Sequence, residues 1–103
     1  MSHVEFFDSH CHVDPMRYGE EIEDVILRAR AAGVSRMTVV GTRAADSEAA
    51  IRLSEREEGV FCAAGIHPND VDDVDEEEWG RVQKLIGSGK VVAVGETGLD
   101  WFR

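Results

Sequence analysis

The chain has 103 residues, enough for one domain, or part of one, with a core of its own. Its 43% hydrophobic and 31% charged residues exclude a disordered chain, and no apolar run approaches the length of a membrane span. The 21 acidic residues outnumber the 11 basic ones, for a net charge of −10. Such a field repels phosphate backbones and argues against broad nonspecific nucleic-acid binding, so a phosphate-bearing substrate would need a local site such as a metal.

Met1 to Glu5 lack the basic and apolar regions of a signal peptide, so a cytoplasmic location is expected. Cys11 and Cys62 sit inside apolar stretches without CxxC spacing and read as buried thiols.

In chain order, Val4-Glu5-Phe6-Phe7 is the first apolar run and leads into Asp8-Ser9-His10-Cys11-His12-Val13-Asp14. Ile22, Val25, Ile26 and Ala29 then repeat at helical spacing, with Gly33 as a stop. A second strand is expected at Arg36 to Gly41. A second helix is expected from Asp46, through Ala49, Ala50 and Leu53, and a third strand at Gly59 to Ile66. Seven carboxylates crowd the nine residues from Asp70 to Glu78. They resemble an EF-hand only superficially, because Asp75 stands where that loop requires glycine. The run reads as a solvated loop entering a helix whose N-terminus favours negative charge. In that helix Asp75 and Glu78 suggest a capping box, and Trp79, Val82 and Ile86 share one face. Val91 to Glu96 is the fourth strand candidate.

The order β-α-β-α-β-α-β and the apolar strands call for right-handed crossovers and a mostly parallel α/β sheet. A small doubly wound sheet and half of an eight-stranded β/α barrel both satisfy it. In either, chemistry gathers at the carboxyl ends of the strands.

Those ends carry His10 and His12, then Gly41-Thr42-Arg43, then Gly65-Ile66-His67-Pro68, then Gly95-Glu96-Thr97-Gly98-Leu99-Asp100. Three of the four histidines and a glycine-flanked carboxylate therefore fall on one rim; His3, near the terminus, carries no weight. His10 and His12, two apart on an extended chain, present both imidazoles on one face and can grip one divalent ion, with Cys11 pointing the other way. Glu96 is a hard ligand able to bridge two ions, one on each oxygen. Gly95 and Gly98 would let the backbone approach the site. Asp8 and Asp14 could orient the imidazoles, or serve as turn and capping residues. His67 is a candidate for contacting substrate or closing the rim by a hydrogen bond, and Asp100 for supporting the site. Arg43 could meet an anionic substrate, although an exposed arginine explains it as well. No dinucleotide fingerprint, Walker loop, nucleophile elbow or basic stripe with aromatics is present.

Asp-Ser-His-Cys-His-Val-Asp, Val-Val-Gly-Thr, Gly-Ile-His-Pro and Val-Gly-Glu-Thr-Gly-Leu-Asp, in this order and spacing, resemble the N-terminal half of TatD-like metal-dependent hydrolases across Phe6 to Phe102. Two departures are mild: Asn69 stands where many members have histidine, and Trp101 where tyrosine is usual. The resemblance implies an amidohydrolase-type TIM barrel and a deoxyribonuclease with two divalent ions, of zinc, magnesium, manganese or cobalt. His10 and His12 would bind the first ion and Glu96, the catalytic carboxylate, both; a metal-bound hydroxide would attack a DNA phosphodiester or a small phosphoester. The remaining ligands of the family, two histidines and an aspartate, come from later strands.

A full barrel takes about 250 residues. Residues 1–103 are therefore expected to be a single partial domain, the half-barrel of a longer enzyme, nearly inactive in isolation. Self-association through the exposed sheet edges is the other way to complete the sheet. A metallohydrolase of another small substrate and a non-catalytic binding or assembly module are the competing functions.

Overall fold

A computed structural model describes residues 4–100. Its frame is one parallel sheet of four strands in the order β1-β2-β3-β4: Phe6–Cys11, Val34–Val40, Val60–Ala64 and Val91–Val94. Each neighbouring pair is joined by helical segments, as the alternation of apolar runs and amphipathic stretches requires. Between β1 and β2 lie α1 (Pro15–Tyr18), a 3-10 turn at Gly19–Glu21 and α2 (Ile22–Ala31). Between β2 and β3 lies α3 (Ala44–Arg56), and between β3 and β4 come a 3-10 turn at Val71–Asp73 and α4 (Glu76–Ile86).

The period-2 alternation of the strands sorts their side chains. Met37, Val39, Val60 and Cys62 face the helices and pack with Ile22, Ile26, Ala50, Ile51 and Leu53, while Cys11, Val13 and Val91 lean on this cluster. Fully burying a side chain such as Leu53 or Ile26 contributes about 1.5–3 kcal/mol. On the other face Phe7 stacks on Phe61 with ring centroids 6.1 Å apart. Phe6, Phe7, Val92 and Val94, on the two outer strands, are each more than half exposed.

Three elements differ from the periodicity. β1 runs on past the apolar residues Phe6 and Phe7, through His10 to Cys11, and stops one residue before His12, with its register against β2 shifting between Asp8 and Cys11. α1 has no apolar period to reveal it; it exists because Asp14 caps it and Pro15 presets its first turn. α3 begins before Asp46, whose carboxylate accepts the Thr42 and Arg43 backbone N–H groups at 2.8 Å each and so caps from inside the first turn.

The capping box expected at α4 is half formed. Asp75 accepts the Glu78 backbone N–H at 2.8 Å, but the Glu78 carboxylate turns away from Asp75 toward Arg43 and Ala44. Among the described residues no helix is long and apolar enough to cross a membrane.

Candidate metal centre

The end of β1 carries His10, and His12 follows it just past the strand. The His10 N–H donates to the Asp8 carboxylate at 3.1 Å, a local turn that holds the strand end. The imidazoles meet edge to face, 5.2 Å between centroids. Between them Cys11 turns to the helix side, where its thiol donates to the Thr38 carbonyl at 3.5 Å. Burial pushes that thiol up, against the opposing effect of a backbone hydrogen bond from Val13. Cys62 is likewise pushed up by burial, so neither cysteine is a ready thiolate.

Glu96 approaches from the end of β4. Its backbone N–H donates to the Gly41 carbonyl at 2.8 Å, and that of Gly95 to Ala64 at 3.0 Å. The carboxylate divides its oxygens: Oε2 lies 3.2 Å from His12 Nε2 and 3.6 Å from His10 Nε2, and Oε1 lies 3.3 Å from His67 Nε2. Side-chain exposures of 54% for His10, 28% for His12 and 23% for Glu96 leave the cluster open on one side.

Donor atoms of His10, His12 and Glu96 all lie within 4.8 Å of one another. Two imidazole nitrogens and a carboxylate oxygen at that spacing, with an open side for water or substrate, fit the donor set of a divalent ion. His67 stands differently. Its Nδ1 accepts the Asn69 backbone N–H at 3.0 Å, so the neutral ring carries its proton on Nε2 and faces Glu96 as a donor rather than a ligand.

Close approach at the rim depends on Gly65, a position the spacing of motifs did not single out. A Cβ there would lie 2.7 Å from the Gly95 carbonyl group and 2.9 Å from the Glu96 backbone carbonyl oxygen. Gly95 itself would accept a Cβ at ordinary contact distance, and Gly98, with φ +129°, serves its turn rather than a close approach.

The remaining candidates fall as follows. Asp14, only 3% exposed, accepts the Met16 and Arg17 N–H groups at 2.9 and 3.2 Å and lies 3.5 Å from the Arg17 guanidinium; it is the α1 cap, not an imidazole partner. Asp8 touches the His10 backbone, not its ring. Asp100 lines a cavity of about 360 Å³ together with Pro68, Val71 and Asp72. Arg43 is engaged by Glu78 at 2.6 and 3.1 Å and by the Asp73 carbonyl at 3.3 Å. His3 and Trp101 lie outside the described residues.

The TatD related DNase family model matches residues 7–103. The chain belongs to this family. Among TatD relatives, the 3'-5' ssDNA/RNA exonuclease TatD of Cronobacter sakazakii is 39% identical over 97 residues, covering 94% of this chain and 37% of that protein. The uncharacterized metal-dependent hydrolase YabD of Bacillus subtilis is 38% identical over 95 residues, covering 92% of this chain and 37% of its own length. Of solved structures, that of YjjV, a TatD homolog from Escherichia coli K12, superposes with a TM-score of 0.85 at 33% identity, over 95% of this chain and 39% of YjjV. A TatD family hydrolase from Entamoeba histolytica shares the fold, with a TM-score of 0.81 at 24% identity over 98% of this chain and 40% of its own. The chain thus spans a little over a third of the length of these TatD relatives, and its four-stranded sheet is a half-barrel.

Proposed function

We propose that this chain supplies the first-metal half of a TatD-type active site that hydrolyses phosphodiesters in DNA or RNA. The reading rests on one observation above others: the Glu96 carboxylate sits between His12 and His10 on one oxygen and His67 on the other. In it, His10, His12 and Glu96 would hold a divalent ion. When bound, such ions supply Lewis acidity at the phosphoryl oxygen and an activated water. The chain's own residues orient that chemistry: the backbone bond from Glu96 to Gly41 places the carboxylate, and His67, a donor at Nε2, would offer a hydrogen bond to a substrate phosphate oxygen. The two unpaired cysteines suit a reducing compartment such as the cytoplasm.

The −10 charge favours local capture of one strand end over binding along a duplex. It also keeps a compact phosphoester in contention as substrate. A chimera decides between them: residues 7–103 replace the matched segment of the Cronobacter enzyme, and oligonucleotide degradation is followed with divalent ions present. The reading expects exonuclease activity that disappears with His12→Ala. A folded, metal-loaded chimera that cleaves small phosphoesters but leaves oligonucleotides intact would reassign the substrate.

A further inference from the structure

The turn after β2 contributes no ligand, yet the ends of both neighbouring strands hang on it. The Gly41 carbonyl takes the Glu96 N–H, and the Thr42 carbonyl takes the His67 N–H, each at 2.8 Å. The turn is itself fixed by Asp46, which accepts the Thr42 and Arg43 N–H groups and the Thr42 hydroxyl. From its far side the Arg43 side chain reaches across to the segment that follows His67. Its guanidinium grips both Glu78 oxygens and donates to the Asp73 carbonyl, and Glu78 also accepts the Ala44 N–H at 3.2 Å.

Residues 65–75 are therefore tied at both ends, by β3 on one side and the Arg43–Glu78 pair on the other. Only the short turn through Pro68 and Asn69 lies between His67 and the acidic run that the arginine holds. That run is dense in carboxylates, and Asp70 and Asp73 both act on the Arg43 charge. Without a cation across from it, the run would repel itself and pull away from the rim.

We propose that Arg43 is a positioning residue: its two-pronged grip on Glu78 and the Asp73 carbonyl holds the loop that presents His67 to Glu96. The role of His67 toward phosphate rests on the function proposed above, whereas the placement of His67 by Arg43 does not.

Two measurements on the 103-residue chain test this. In amide hydrogen exchange, Arg43→Gln should speed exchange of the His67 N–H roughly five- to tenfold, as expected for losing a two-pronged charged contact, while Val39 and Cys62 stay protected. Arg43→Lys, which keeps the charge but only a single-point contact, should fall between. In a zinc titration followed by the imidazole Cε1–H signals, His10 and His12 should respond in Arg43→Gln as in the parent, and the His67 response should shrink to less than half.

Unchanged His67 exchange in Arg43→Gln, or a His67 response to zinc equal to the parent's, would overturn the proposal. So would loss of protection throughout the core, which would make Arg43 a general stability residue. If zinc moves none of the three histidines in the parent, the metal reading fails, and the exchange comparison alone still decides the role of Arg43.

Discussion

His12 Nε2 lies 3.2 Å from Glu96 Oε2, although the two residues come from opposite ends of the chain. β1 and β4 are the outer strands of one parallel sheet, with β2 and β3 between them, and both finish at the same rim. Curvature of the sheet brings together what a flat sheet would hold three strand spacings, about 14 Å, apart, and this is the way a half-barrel concentrates donors.

Asp14 tests two roles open to an acid beside a metal pair. As the cap of α1 it should contribute about 1 kcal/mol, so Asp14→Ala should lower stability by that order in urea unfolding. Asp14→Asn, which still caps, should be close to neutral. Neither should change zinc affinity by more than a few fold; a large loss with Asn would return Asp14 to the imidazoles.

Gly65→Ala should damage the site more than the fold. The added methyl meets the Gly95–Glu96 backbone at 2.7–2.9 Å, so the Glu96 peptide must shift. Overpacking of this kind costs about 1–3 kcal/mol. The expected result is a folded chain with weakened divalent-ion binding, read by circular dichroism and calorimetry together; parent-like binding would show that the rim adapts.

The Arg43–Glu78 pair predicts a pH dependence. The hydrogen bond from Arg43 holds the Glu78 carboxyl below its ordinary value. A depressed folded-state value contributes stability above the ordinary glutamate range, near pH 4.3, and that contribution is lost as pH falls through the folded value. The stability gap between the parent and Glu78→Gln should therefore be widest near neutral pH and close in acid. Because both partners are partly exposed, added salt should narrow it as well.

The half-barrel leaves Phe6, Phe7, Val92 and Val94 exposed on its outer strands. Unpaired strand edges with apolar side chains favour association. Sedimentation of the isolated chain should show concentration-dependent self-association, and Phe7→Lys should reduce it. Its hydrolysis of DNA should be far below that of a full-length relative; a comparable rate, lost with His10→Ala, would show that the half-barrel suffices.

The sheet order and the four rim positions were legible because the strands read as apolar runs and chemistry falls at their ends, although only β2 and β3 are largely buried and the outer strands are exposed. His10, His12, His67 and Glu96 converge as their places in that order suggest. What stayed hidden is contact between elements remote in sequence. Glu78 looked like half of a capping box, since its local spacing fits one, but an arginine from the preceding βα unit outcompetes the Asp75 N–H. Gly65 gave no signal because its need arises from the neighbouring strand's backbone. Asp14 could serve as cap or ligand support on spacing alone, and only α1 decides it.

Calorimetric titration of the chain with zinc or manganese tests the metal centre most directly. Saturable binding is expected in the parent, weakened by more than about tenfold in His12→Ala and in Glu96→Gln, with the fold intact by circular dichroism. Equal affinity in all three proteins would contradict a centre built on His10, His12 and Glu96.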